Sequence, residues 1–88
     1  MNDTGRLRLY VRIGCSLCED MLLDLQQLIA TEWPGRLEAP QLFDIDEDEQ
    51  LRARFHAQVP VLMLGEQELC RYYLDPSAVR DAVERELT

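Results

Sequence analysis

No stretch of this 88-residue chain holds the roughly 18–20 consecutive apolar residues that a membrane-spanning helix needs, so neither a span nor a membrane partner is expected. The opening Met1-Asn2-Asp3-Thr4-Gly5 has no basic segment followed by an apolar one, so no secretory signal is expected either. Leu87-Thr88 resembles no lipidation motif. The expected location is therefore cytoplasmic. Basic residues are scarce: nine Lys and Arg against seventeen Asp and Glu leave a net charge of -8 and a pI near 4.4. Such a surface repels a phosphate backbone and argues against nucleic acid as a partner. Internal repeats, low-complexity tracts and linkers are all missing. Residues 1–88 thus read as one domain, with the small and polar residues 1–5 as a flexible lead-in.

Cysteine is also sparse, and its three copies cannot all pair internally. In a reducing compartment a close Cys pair marks redox or metal chemistry more often than a structural staple. Cys15-Ser16-Leu17-Cys18 is such a pair.

What surrounds the pair is regular. Arg6 to Ile13 alternates, with Leu7, Leu9, Val11 and Ile13 on one face and Arg6, Arg8, Tyr10 and Arg12 on the other, as expected of a strand. Gly14 breaks it. From Cys18 onward, Met21, Leu22, Leu25, Leu28 and Ile29 recur at helical spacing, and Trp33-Pro34-Gly35 ends that helix, with Trp33 packing at its end. Pro40 to Asp46 reads as a second strand carrying Leu42, Phe43 and Ile45, and Glu47 to Ala57 as a short helix with Leu51 and Phe55 inward. The continuous run Val61-Leu62-Met63-Leu64 suits a strand buried on both faces. Gly65-Glu66-Gln67 turns the chain into a fourth strand, Glu68 to Tyr72. Asp75-Pro76 places an N-cap before a proline at the first helical position, and Val79, Ala82, Val83 and Leu87 line one side of the last helix. The order β-α-β-α-β-β-α predicts an α/β domain: a four-stranded mixed sheet flanked by helices.

Cys15 falls where the first strand gives way to the first helix. Unpaired N–H groups and the positive end of the helix dipole there favour an anion, and the thiolate is the reactive form of cysteine. Arg12 stands three residues earlier and can add a cationic, thiolate-stabilising neighbour. Cys18 lies one turn on, facing inward, placed to attack a mixed disulfide formed on Cys15. Cys15 is the expected nucleophile and Cys18 the expected resolving thiol.

The stretch Leu9-Tyr10-Val11-Arg12-Ile13-Gly14-Cys15-Ser16-Leu17-Cys18 resembles the opening of glutaredoxins and of a short glutaredoxin-like family of poorly defined role. Val59-Pro60, about 45 residues beyond Cys15, resembles the family's Val-Pro pair. The resemblance implies a thioredoxin-like fold, a cis Pro60 bordering the cysteines, and a substrate groove shaped by Val59 and Pro60. It implies a disulfide-containing protein or a glutathione-type molecule as substrate. It also implies that no cofactor is carried within the chain, while glutathione or a reductase serves as external electron donor. The chain is expected to act as a monomer. This sequence departs from the family at Ser16-Leu17, where glutaredoxins carry Pro-Tyr, and at Gln58, where they carry Thr. Leu69-Cys70-Arg71-Tyr72 falls where they carry Gly-Gly and an acidic residue.

Other features have plainer readings. Cys70 is expected to be buried and inert, and Leu17 exposed. The spacing of Cys15, Cys18, His56 and Cys70 matches no usual zinc pattern, so no metal site is expected. The acidic run Asp44, Asp46, Glu47, Asp48 and Glu49 suits a helix start, or else a docking patch for a basic partner. The expected activity is thiol–disulfide exchange through Cys15 and Cys18. The alternatives are an iron–sulfur carrier ligating through Cys15 and a redox-inactive adaptor of the same fold.

Overall fold

The computed structural model describes residues 6–87, so the expected flexible lead-in lies outside the described residues. Strand β1 (Leu7–Val11) leads into helix α1 (Ser16–Glu32), strand β2 (Gln41–Asp44), a single 3-10 turn (Ile45–Glu47) and helix α2 (Glu49–Phe55). Strands β3 (Val61–Leu64) and β4 (Gln67–Arg71) form a hairpin, and helix α3 (Pro76–Leu87) closes the chain. The sheet order is β2-β1-β3-β4, with β2 parallel to β1 and the other two pairings antiparallel. The parallel β1–β2 pair is made by the α1 crossover, whereas the tight Gly65 turn suffices for β3–β4.

Two apolar clusters sandwich the sheet. One gathers Leu7, Leu9 and Leu62 from the strands with Met21, Leu25 and Ile29 of α1 and Val79, Ala82 and Val83 of α3. Trp33, the C-cap of α1, is buried in it, as its place at the helix end suggested. The other cluster lies on the opposite face and gathers Tyr10, Val61 and Met63 with Ile45, Phe55, Val59 and Cys18.

Several boundaries move. The first strand is shorter than the alternation Arg6 to Ile13 suggested, and Ile13 is 86% exposed, because Gly14 turns the chain at a φ of 82° and lifts Ile13 off the sheet. Tyr10, assigned by alternation to the polar face, is buried between Phe43 and Phe55. The second strand stops at Asp44, and Ile45 enters the core from the 3-10 turn instead; Leu42 is exposed because β2 is an edge strand. The second helix runs only from Glu49 to Phe55, since His56 and Ala57 both take left-handed φ values of 53° and 62°.

The acidic run resolves into caps. Asp44 accepts from the Asp46 N–H at 2.9 Å and Asp48 from the Gln50 N–H at 2.8 Å, starting the 3-10 turn and α2 respectively. Asp75 caps α3 in the same way, accepting from the Ala78 N–H at 3.2 Å.

Candidate active site

Topology brings the two motifs together. Because β3 runs antiparallel to β1, with Tyr10 opposite Val61, the start of β3 lies beside the end of β1. Val59-Pro60 therefore flanks the strand end from which Cys15 and Cys18 follow. Cys15 itself packs against the cluster in which Cys18 and Val59 are buried.

Cys15 is the N-cap of α1, with extended φ and ψ of -93° and 110°. Its N–H donates to the Arg12 carbonyl at 3.3 Å and its carbonyl accepts from Glu19 at 3.1 Å. Its Sγ accepts from the Cys18 N–H at 3.1 Å. Sulfur thus occupies the place that a serine or aspartate oxygen takes at ordinary helix starts. The helix begins where the strand-to-helix junction at Cys15 was expected, with the cap supplied by sulfur.

Cys18 differs in kind. It is 3% exposed, and burial, followed by its hydrogen bond with Cys15, pushes its thiol up to about 12. Cys70 is also raised by burial. None of the three cysteines is paired. The raised Cys18 value has a consequence for stability. Below the ordinary thiol value of 9.0 both folded and unfolded chains keep the proton, and stability is full. As pH climbs from there toward about 12, the unfolded chain ionises while the folded one does not, so stability is lost. The unfolding free energy of the reduced protein, from urea melts, should therefore fall between pH 9 and 10 by up to about 1.4 kcal/mol per pH unit, beyond the fall seen in Cys18→Ala. Parallel pH profiles for the two proteins would contradict the buried-thiol assignment.

Arg12 points its Nε at Asp46, with the donor and acceptor 2.8 Å apart. Asp46 is the main influence holding the guanidinium charged, and Cys15 is the least of those acting on it. The expected thiolate-stabilising residue is thus shared with a carboxylate. The acidic run gave no sign of this, since Arg12 and Asp46 lie 34 residues apart.

Val59 and Pro60 are buried, and the peptide bond between them is cis. The loop that carries them is tied at both ends. The Gln58 N–H donates to the Phe55 carbonyl at 2.8 Å, and the Pro60 carbonyl accepts from the Tyr72 N–H at 2.9 Å. Arg71 grips Glu68 through two N–H···O bonds at 2.9 and 3.1 Å and donates a third to Gln58 Oε1 at 2.6 Å. Sequence reasoning missed this Glu68–Arg71–Gln58 link; only register places Arg71 opposite Val61, next to the loop. Tyr72 follows at a left-handed φ of 71°.

Leu17, expected exposed, is half-buried. Cys70 is half-buried opposite Leu62 and packs on the first cluster, across the sheet from Cys18. His56 sits exposed at the end of α2. Among the described residues no three His, Cys, Asp or Glu side chains come together as metal ligands.

Residues 6–84 match the model of the glutaredoxin-like domain (DUF836). The chain belongs to that family. Among solved structures, this glutaredoxin-like domain is similar to protein Ne2328 from Nitrosomonas europaea, determined in solution by NMR. The two share 36% identity over 86% of this chain and 87% of that one, with a TM-score of 0.69. It is similar in fold to thioredoxin 1 from Thermosipho africanus, at 24% identity over 93% of each chain and a TM-score of 0.55. A thioredoxin from Fasciola hepatica shares the fold at 17% identity, covering 92% of this chain and 81% of its own, with a TM-score of 0.51. No curated protein matches the sequence. The fold is thioredoxin-like, and a glutaredoxin-like domain carrying Cys15-x-x-Cys18 is compatible with redox chemistry. Among the described residues no helix is long and apolar enough to cross a membrane.

Proposed function

We propose that this glutaredoxin-like domain is a thiol–disulfide oxidoreductase. The observation that carries the reading is the division of labour at the start of α1: one sulfur caps the helix and accepts a backbone N–H, while the other is buried and held protonated. The Cys15 thiolate attacks one sulfur of a substrate disulfide, forming a mixed disulfide and expelling the other sulfur as a thiolate. Cys18 then passes its proton to the expelled substrate thiolate and attacks the Cys15 sulfur. That step forms the Cys15–Cys18 disulfide and releases the second substrate thiolate. Two electrons pass from the domain to the substrate, and an external thiol donor, such as two molecules of glutathione, restores the reduced pair. Arg12 lends positive charge near Cys15, moderated by Asp46. The backbone at Val59, ahead of Pro60, offers an extended substrate main-chain partners.

Protein disulfides suit this site better than glutathione itself. Where glutaredoxins present glycine backbone, this chain places Arg71 clamped to Glu68 and Gln58, followed by Tyr72. A reducing cytoplasm is the compartment in which such a pair would cycle.

Timed alkylation of the reduced protein, read cysteine by cysteine by mass spectrometry, tests the reading. With its thiol near 12, Cys18 presents only about one thiolate in ten thousand at pH 8, and Cys70 is disfavoured in the same direction. Label should therefore accumulate at Cys15 first. Labelling of all three at similar rates, or a Cys15 that stays unreactive, would overturn the proposal.

A further inference from the structure

A hollow of about 220 Å³ opens beside the cysteine pair, on the β2 side of β1 and so on the other side of that strand from Val59-Pro60. Its wall includes Cys18, and its rim is apolar: Val11, Ile13, Leu22 and Leu42. Ile13 and Leu42 are 86% and 51% exposed, which places two of the five exposed large apolar side chains among the described residues around one depression next to Cys18. Pockets that hold small organic ligands run from about 300 Å³ upward, so this one is sized for a side chain presented by a larger molecule.

Carboxylates outnumber cations around it: Glu19 lines it, and Asp46 and Asp44 both act on Arg12. Arg12 is the one cation among the lining residues, and Asp46 already engages it. Glu19 lines the hollow as well, and Asp20 follows it on α1. On β2 the period of two puts Asp44 on the same side of the strand as Leu42, with Asp44 in register with Val11. Asp44 was read above as a cap, and it does cap; its charge nonetheless remains beside Leu42. An apolar depression whose one cation is already paired and whose charged neighbours are otherwise carboxylates complements an apolar side chain with basic neighbours, and the charge of the whole chain, -8, would draw such a partner in.

We infer that the domain's substrate is a basic, disulfide-bearing protein segment that seats an apolar side chain beside its cystine in the Ile13–Leu42 hollow while its main chain pairs at Val59. This deepens the redox reading and rests on it. In the mixed disulfide the substrate sulfur is bonded to Cys15, and a residue adjacent to it lies about 3.8 Å away along the chain. The hollow borders that position: Gly14, the residue before Cys15, lines it together with Cys18.

Three substrates test it: a disulfide peptide with Leu and Arg flanking one cysteine, the same peptide with Glu for Arg, and 2-hydroxyethyl disulfide. At low ionic strength the basic peptide should be reduced about tenfold or more faster than the acidic one, and the gap should shrink in half-molar salt. The double variant Ile13→Ser with Leu42→Ser should lower the ratio of kcat/KM for the basic peptide to that for 2-hydroxyethyl disulfide by about tenfold. Circular dichroism checks that the variant folds, and single variants with half the effect serve if it does not. Reduction of the small disulfide with equal rates on both peptides, or an unmoved ratio in the variants, overturns the docking assignment alone. A protein that leaves the small disulfide intact overturns the redox reading and the docking with it.

Discussion

Cys15→Ser should bring disulfide reduction down to the rate of the uncatalysed exchange, whereas Cys18→Ser should complete the first attack and stop there. The asymmetry follows from where the two sulfurs sit. A hydroxyl at position 15 can still cap α1, because Ser accepts the Cys18 N–H as well as sulfur does. The helix survives the change and the fold with it, so the loss is one of nucleophile alone. With Ser at 18 the half-buried Cys15 still forms a mixed disulfide, but no buried thiol follows to release it. Covalent adducts should then accumulate on Cys15, visible as a mass increase that a strong reductant removes. Turnover retained by the first variant would sink the assignment. Turnover retained by the second would leave Cys15 as nucleophile and move resolution to an external thiol.

Both motifs of this site were legible in the sequence because each is local. Two cysteines three residues apart at a strand-to-helix junction, and a Val-Pro before a wholly apolar run, need no knowledge of distant contacts. The element order was legible for the same reason: hydrophobic period changes from two to 3.6 where α1 begins, and Asp75-Pro76 marks the start of α3 as surely as any cap. What escaped depends on tertiary pairing. Arg12 meets Asp46 only because β1 and β2 are parallel neighbours, and Arg71 meets Gln58 only because β4 lies against β3. The hollow at Ile13 and Leu42 was hidden by the very periodicity that found the strand, which put Ile13 on one face with Leu7, Leu9 and Val11. Alternation reports which side chains share a face; it does not report where the strand ends or whether the other face is covered.

Tyr10 is where that distinction has its largest energetic effect. Alternation groups it with Arg6, Arg8 and Arg12, yet its ring lies 5.1 Å from Phe43 in a stacked arrangement and 4.7 Å from Phe55. Helix α2 is only seven residues long, so the second face of the sheet has few side chains to cover it, and these three rings supply much of what there is. Replacing a buried aromatic ring by a methyl group costs about 3–5 kcal/mol, from lost burial plus the cavity left behind. A domain of 88 residues has about 4–13 kcal/mol of stability in all, so Tyr10→Ala should remove a large part of it. The melting midpoint should fall by about 15–30 °C. Arg12→Ala, on the same side of the alternation but exposed, should leave the midpoint nearly unchanged, because an exposed ion pair contributes little. The cluster that holds Tyr10 also buries Cys18 and Val59 and packs against Cys15. Loosening it should therefore expose the resolving thiol, and Cys18 in Tyr10→Ala should become alkylated at neutral pH well below the midpoint. A variant that melts like the parent, with Cys18 still protected, would show that the second face is held by something other than this aromatic stack.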